Sequence, residues 1–466
     1  MALRFYNTLT QAVEEFSALH GNEVRMYTCG PTVYNYVHIG NLRTFTFQDV
    51  LRRWLSERGY QLNHVMNITD VEDKIIRNAT REGKTLEQYT EPYTQAFIED
   101  SKTLRMQGPE RMVKATEHIK EMADDIQTLA DKGFTYTSDG SVYYRISKFS
   151  EYGKLSHMDF HGVQAGARVD VDEYDKDNAR DFVLWKARKD NEPFWDMPLG
   201  PGRPGWHIEC SSMAMKYLGA TLDIHAGGID LTFPHHENEI AQSEAITGKP
   251  FARFWLHSEH LIMDMQKMSK SVGNIYTLRD ILAMGHAPEA LRYVLESSHY
   301  RSKFNFTLEN MQAAKGAIDR LRSFKLRLES SKFADGAGEE IGKRTAAARQ
   351  AFEDAMDDDL KTSEAVAAVF EYIRDMNTQM DAGAFQAGNV AGGLDLLAIF
   401  DRIFAVLEPT ATESGLSDAE IDAKIAERNA AKKAKNFGLS DQIRKDLLDQ
   451  GVILEDTKDG VRWKRK

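Results

Sequence analysis

The sequence predicts an α/β protein: a Rossmann-like, doubly wound parallel sheet carrying an insertion, followed by an α-helical bundle and a small basic C-terminal unit. Three observations predict it. The N-terminal region alternates strand, helix and strand; the alternation resumes after about Gly205; and from Leu278 onward apolar residues recur three and four apart. At 466 residues the chain exceeds one ordinary core, which suggests two to four units.

Glu23 to Tyr27 reads as a strand. Leu42 to Arg58 reads as a helix with Phe47, Val50, Leu51, Trp54 and Leu55 on one face, broken by Gly59, and Gln61 to Ile68 as a second strand. Such β-α-β units build sheets that gather ligands at the carboxyl ends of their strands. The stretch to about Pro204 mixes helical patterns with a strand-like Ser141 to Arg145 and reads as an insertion. A strand at Thr221 to His225, a helix from about Pro234 to Ile246 and a strand near Phe254 to His257 restore the sheet. Helical patterns follow from Met311 to Phe324 and from Ala351 to Met376, with breaks at Ala334 to Glu340 and Ala382 to Gly393. Glu408 to Ser417 looks like a linker. The expected partition is 1–120 and 205–262 for the two halves of the sheet domain, 121–204 for the connective insertion, 263–310 for a loop and stem region, 311–408 for the helical bundle and 409–466 for the basic unit.

Composition bounds the function. With 42% hydrophobic and 28% charged residues the chain is globular rather than disordered. No run approaches the roughly 18 apolar residues of a membrane span, and the first residues lack a signal-peptide pattern, so a cytoplasmic address is expected. Cys29 and Cys210 are far apart, and in a reducing compartment they are buried thiols, metal ligands or reactive groups. The net charge of −12 argues against a polyanionic partner, yet residues 428–466 hold eleven Lys/Arg against six Asp/Glu. A basic tail fits a localised nucleic-acid contact and equally a solvated terminus.

Two elements have the chemistry of phosphate binding. His38-Ile39-Gly40-Asn41 sits between the first strand and its helix, where free N–H groups and the helix dipole attract anions and a glycine admits a nucleotide to the backbone. A histidine there can donate to phosphate oxygens, or it can merely cap the helix. Lys267-Met268-Ser269-Lys270-Ser271 follows the last sheet strand, and two ammonium groups bracketing a hydroxyl can neutralise charge growing on a departing pyrophosphate. A third set combines His235 and Glu239, at i and i+4 behind Pro234, with the soft Cys29 and Cys210. Two thiolates, an imidazole and a carboxylate favour zinc, although spacing alone fits a core histidine and two buried cysteines as well.

The paired motifs resemble those of class I aminoacyl-tRNA synthetases, in which a His-Ile-Gly-His-like element and a Lys-Met-Ser-Lys-Ser element share one nucleotide-binding fold. Over the whole chain the sequence resembles cysteinyl-tRNA synthetases, through Met26 to Tyr34, Asn67-Ile68-Thr69-Asp70, Gly205 to Ser211, Asp223 to Gly228 and Phe233 to Glu239. The resemblance implies a cysteine–tRNA ligase that uses Mg-ATP to form cysteinyl-adenylate and transfers cysteine to the 3′ end of tRNA(Cys). It implies one zinc per chain on Cys29, Cys210, His235 and Glu239, which takes the substrate thiolate and so rejects serine. It further implies His38, Asn41, Lys267 and Lys270 as the catalytic phosphate contacts, with Gly40, Gly227, Gly228 and Asp230 also holding ATP, and Thr69, Trp206 and His225 lining the cysteine pocket. Asn41 stands where the family usually has histidine, so a positioning role is expected there. Glu289-Ala290-Leu291-Arg292 and the later helices resemble the family's tRNA-contacting domain. The tail resembles its anticodon-binding unit, with Trp463 expected to stack on a base or pack the tail, and Arg462, Lys464 and Arg465 to meet phosphates. A monomer is expected. A related ligase joining cysteine to an amino sugar lacks that tail, and a silent tRNA-binding protein would not need Lys267 and Lys270.

Overall fold

The structure is a computed structural model that describes residues 2–158, 181–190, 192–265, 275–410, 416, 418–457 and 460–465. The chain opens with a hairpin, β1 (Arg4–Asn7) and β2 (Ala12–Glu15). The first half of the sheet domain runs β3 (Glu23–Thr28), α1 (Ile39–Glu57), β4 (Gln61–Ile68), α2 (Asp73–Glu82), α3 (Leu86–Thr103), β5 (Arg111–Lys114) and α4 (Ile119–Asp131). The insertion follows as β6 (Thr135–Ser138), β7 (Ser141–Tyr144), β8 (Phe182–Ala187), β9 (Trp195–Met197) and β10 (Gly200–Pro204). It forms an antiparallel sheet in the order β6-β7-β8-β10-β9. The main sheet resumes with α5 (Trp206–Leu218), β11 (Leu222–Gly228), α6 (Glu237–Thr247) and β12 (Ala252–Ser258).

The main sheet is parallel throughout, in the order β12-β11-β3-β4-β5. Its direction of winding reverses between β3 and β11, and a crevice opens at the carboxyl ends of strands at such a switch point. Side-chain alternation along the strands feeds two cores. Val24, Met26, Ile224, Ala226, Phe254 and Leu256 face α1 and run continuously into the helical bundle. Tyr27, Val65, Leu222, Ala252 and Trp255 face α4, α5, α6 and the insertion. Both faces of the sheet are therefore covered, as a parallel sheet requires, although polar residues such as His64, Asn67, Asp223 and His225 interrupt the strands.

A short parallel pair, β13 (Leu261–Met263) and β14 (Phe304–Phe306), brackets α7 (Leu278–Ala283) and α8 (Pro288–Glu296). The bundle is α9 (Leu308–Ser330), α10 (Glu339–Asp357), α11 (Thr362–Asp381) and α12 (Val390–Phe404). The terminal unit, α13 (Asp418–Lys433), α14 (Phe437–Asp449) and the hairpin β15 (Val452–Thr457) and β16 (Gly460–Arg465), has its own core of Ile421, Ile425, Ile443, Leu447, Val452 and Leu454.

Three expectations are corrected. The helical run from Ala351 to Met376 is two helices, because Asp359 and Leu360 adopt positive φ between them. There Asp359 accepts from Tyr6 N and Arg301 Nε, contacts that no local periodicity records. Gly392 and Gly393 lie inside α12 rather than in a break; a Cβ on Gly393 would come 3.0 Å from Leu328 Cδ1, so this glycine permits close helix packing. The sixth helix starts at Glu237, not near Pro234, since Phe233 is extended and Thr232–His236 forms a wide turn of its own.

Candidate metal and nucleotide site

Four segments converge at the switch point. β3 ends at Thr28 and delivers Cys29, whose N–H donates to Ala226 O on β11 at 3.2 Å. Gly30 N donates to Asn67 Oδ1 at 2.9 Å, and a Cβ on Gly30 would sit 1.8 Å from Asn67 O, so the β3–β4 contact demands glycine. The N-cap of α5 is Gly205, where a Cβ would lie 2.1 Å from Val183 O; this close approach to the insertion aims Trp206 and Cys210 into the crevice. The turn before α6 supplies His235 and His236, and the helix supplies Glu239.

Cys29, Cys210, His235 and Glu239 are all buried, and one donor atom from each lies within 4.8 Å of every other. Cys29 Sγ is 3.9 Å from Cys210 Sγ and 3.9 Å from Glu239 Oε1, and His235 Nε2 is 3.0 Å from Glu239 Oε1. His235 Nδ1 is held by His207 Nδ1 at 2.9 Å, which turns Nε2 toward the cluster. Burial opposes ionisation, but the Cys29 hydrogen bond and the His235 charge bring the Cys210 thiol down to about 6. His225 and His235 hold Glu239 at about 2 against the same burial. Against its own desolvation, His235 is pushed up to about 10 by Glu239 and Cys210, whereas burial and Cys210 drive the Cys29 thiol up. A soft thiolate and a carboxylate thus share one buried protonated imidazole, and a divalent cation suits that donor set by replacing protons.

A second grouping shares two members: Cys29, His225, His236 and Glu239 also converge. His236 Nε2 lies 3.3 Å from Cys29 Sγ, and its Nδ1 lies 2.8 Å from His257 Nε2, which in turn reaches Thr8 Oγ1 through Nδ1 at 2.8 Å. The two sets differ in access. Cys29, Cys210 and His235 line a cavity of about 370 Å³, whereas His225 and His236 lie behind them. Three members of the first set therefore face open space, whereas Cys29 alone of the second does.

The sequence-expected residues divide accordingly. Thr69, Trp206, His38, Asn41, Gly228 and Asp230 share the cavity wall with the three ligand candidates. Thr69 Oγ1 donates to Glu209 Oε2 at 3.1 Å, and Trp206 stacks on His235 with ring centroids 4.2 Å apart. His225 is not on the wall; it is fully buried, stacked on Trp255 and bonded to Glu239 Oε2 at 2.8 Å. Gly227 is also off the wall, packed so that a Cβ would be 2.9 Å from His236 Cε1, and Gly40 lies within the first turn of α1.

His38 and Asn41 form a reciprocal cap at the start of α1. His38 Nδ1 accepts from Asn41 N at 3.2 Å, and Asn41 Oδ1 accepts from His38 N at 3.3 Å. The backbone bond fixes the proton of a neutral His38 on Nε2, and Asn41 keeps its NH₂ as a donor. No acidic residue occupies the first turn of α1, so its dipole is uncompensated.

Lys267 and Lys270 lie outside the described residues, whose flanks are placed. Tyr276 O accepts from Ile39 N at 2.9 Å, and Ile275 and Thr277 line the cavity. In the tail, Trp463 is half-buried and donates to Asp422 Oδ1 at 2.9 Å, so its ring packs the terminal unit rather than standing free to stack. Arg462 NH2 donates to Ser331 Oγ at 2.9 Å, and the side chains of Lys464 and Arg465 are outside the described residues. Arg292, fully buried, ties α8 to Asp49, Leu104 O and Phe404 O.

Sequence reasoning missed His207, His236, His257 and Glu209. The adjacent pair His235-His236 and the Glu209-Cys210 pair were visible signals, but which neighbour faces the cavity depends on the turn before α6 and on the start of α5.

Residues 15–316 match the family described as tRNA synthetases class I (C) catalytic domain, and residues 351–408 match the DALR domain. A cysteine–tRNA ligase of Solibacter usitatus (strain Ellin6076) is 64% identical over 466 residues, with 100% of both chains covered. One from Koribacter versatilis (strain Ellin345) is 52% identical, again covering 100% of each. Mycobacterium tuberculosis methionyl-tRNA synthetase in complex with methionyl-adenylate shares the fold, with a TM-score of 0.64 at 14% identity over 82% of this chain and 92% of that one. With two family matches in chain order and full-length relatives, the chain belongs to the cysteine–tRNA ligases, a family of class I aminoacyl-tRNA synthetases.

Proposed function

We propose that the chain activates L-cysteine with Mg-ATP and transfers it to the 3′ end of tRNA(Cys). The observation that carries the reading is one cavity walled at its inner end by Cys29, Cys210 and His235 and at its outer end by His38 and Asn41 on a helix N-terminus. The inner end fits a small thiol and the outer end a polyphosphate.

In the first step the cysteine carboxylate attacks the α-phosphorus of ATP, forming an acyl–phosphate bond and expelling pyrophosphate. No protein nucleophile is needed, so the residues act by positioning and by stabilising charge. His38 Nε2–H and the Asn41 NH₂ donate to phosphate oxygens; Lys267 and Lys270 cover the departing pyrophosphate. Gly228 and Asp230 hold the nucleoside and Gly40 allows close approach at the start of α1, whereas Gly227 serves the site through its packing on His236. Thr69 and Trp206 orient cysteine, and His225 acts on the pocket through Glu239. In the second step a terminal ribose hydroxyl of tRNA attacks the acyl carbon and AMP leaves.

Cys29, Cys210, His235 and Glu239 would hold one zinc ion per chain. Zinc there supplies soft ligation matched to a substrate sulfur and poorly matched to the hydroxyl of serine. A second cavity of about 640 Å³ adjoins the first and shares Thr32, Tyr34, Lys74 and Trp206, which gives the RNA terminus room beside the site. No helix among the described residues is long and apolar enough to cross a membrane. The reading takes the protein as a cytoplasmic monomer whose tail, through Arg462, Lys464 and Arg465, contributes to tRNA binding.

Cysteine-dependent ATP–pyrophosphate exchange tests it. Exchange with cysteine and not with serine, lost on chelation and regained with zinc, is expected. Equal exchange with serine would remove the metal-gated reading.

A further inference from the structure

The terminal hairpin does not present Arg462 to open solvent. Its guanidinium reaches the helical bundle, donating to Ser331 Oγ at 2.9 Å, and joins a groove of about 790 Å³ between α9 and α11. Arg320, Arg327 and Arg374 line the same groove, and its one lining carboxylate is Asp319. Four arginines converging on one concavity are unusual on a chain of net charge −12.

The four are not equivalent. Arg327 is engaged, donating to Asn377 Oδ1 at 2.8 Å and to Asp381 Oδ1 at 2.6 Å. Arg320 and Arg374 are exposed and have no carboxylate partner among the described residues. The Arg320 guanidinium lies 5.3 Å from the centroid of the Phe370 ring, which holds it over the groove without neutralising it. Phe324, Phe370 and Ile373 supply an apolar floor beneath the guanidinium groups.

The groove shares no lining residue with the catalytic cavity. At the rise of an α-helix, Arg320 and Arg327 lie roughly 18–29 Å along α9 from its start at Leu308. An anion that occupies it while serving the catalytic cavity must be long and must carry charge at intervals, which describes a nucleic-acid backbone rather than a free nucleotide.

We propose that Arg320, Arg374 and Arg462 form a phosphate clamp on the tRNA backbone, assembled only when the terminal unit is docked on α9 and α11. This rests on the proposed tRNA substrate and adds where and how its backbone is held. The clamp reads charge, not sequence, so it sets affinity and register while leaving the choice of tRNA to other contacts.

The test uses the full-length protein and unmodified tRNA(Cys), with the dissociation constant measured from low to moderate salt. R320Q/R374Q is expected to weaken binding about tenfold or more at low salt. It is also expected to make the slope of log K against log salt shallower by about two units, one for each lost phosphate contact. R320K/R374K, which keeps the charges, should restore most of both, and equal unfolding midpoints would keep a folding defect apart. Wild-type affinity and salt slope in R320Q/R374Q would overturn the clamp while the wild-type protein still charges tRNA. Failure of the wild-type protein to charge any tRNA would instead strike the underlying reading.

Discussion

His225 Nε2 lies 2.8 Å from Glu239 Oε2, with both side chains fully buried. That bond occupies one carboxylate oxygen and leaves Oε1 to His235 at 3.0 Å and to the thiol of Cys29. His225 therefore orients Glu239 without touching the cavity, as outer partners do in metal sites.

His225→Ala should cost about 10- to 100-fold in zinc affinity, read by competition with a chromophoric chelator, while His225→Gln recovers part of the loss. Unchanged zinc affinity in the alanine variant would mean that Glu239 is oriented without it.

Cys210→Ser replaces a soft donor by a hydroxyl that does not ionise near neutral pH. Zinc content of the purified protein should fall well below one per chain, and the KM for cysteine should rise in pyrophosphate exchange. Full zinc occupancy in this variant would take Cys210 out of the ligand set.

Gly30→Ala would drive a Cβ to 1.8 Å from Asn67 O, a backbone atom that cannot rotate away. A loss of about 1–3 kcal/mol in unfolding free energy is expected, together with weakened metal binding at the neighbouring Cys29. A urea midpoint equal to that of the parent would show that β3 and β4 can separate at no cost.

His64 is buried beside Thr28 Oγ1 at 2.8 Å, and burial followed by the charge of Arg52 lowers its pKa to about 3. The unfolded chain accepts a proton near the ordinary value of 6.5 that the folded chain refuses, so this contribution is complete above that pH and is lost as pH falls toward 3. Between pH 7 and pH 5 it amounts to about 2 kcal/mol. His64→Gln should reduce the pH 7 to pH 5 change in unfolding free energy, read from denaturant curves, by that amount; identical pH profiles would contradict it.

Much of this was legible because the relevant physics is local. The strand Gln61–Ile68 is bounded by a breaker and by its own apolar run, and the i, i+4 pair His235 and Glu239 meets although the helix proper starts two residues after His235. Features set by distant contacts were not legible. The edge strand Arg111–Lys114 buries only Val113, so it has no apolar pattern to read. The break at Asp359 depends on Tyr6 and Arg301, and the packed ring of Trp463 on Asp422. Asn41, an apparent departure in the first motif, serves the α1 cap through its amide oxygen, a role that appears only when the N–H of His38 is placed.

The most direct measurement is transfer of labelled cysteine to a mixed tRNA pool by active-site-titrated protein with ATP, Mg²⁺ and zinc, with labelled serine in parallel. The account predicts stable charging with cysteine, none with serine, and loss of charging after zinc is stripped. Charging with serine at a comparable rate, or no charging by protein that still forms the adenylate, would contradict it.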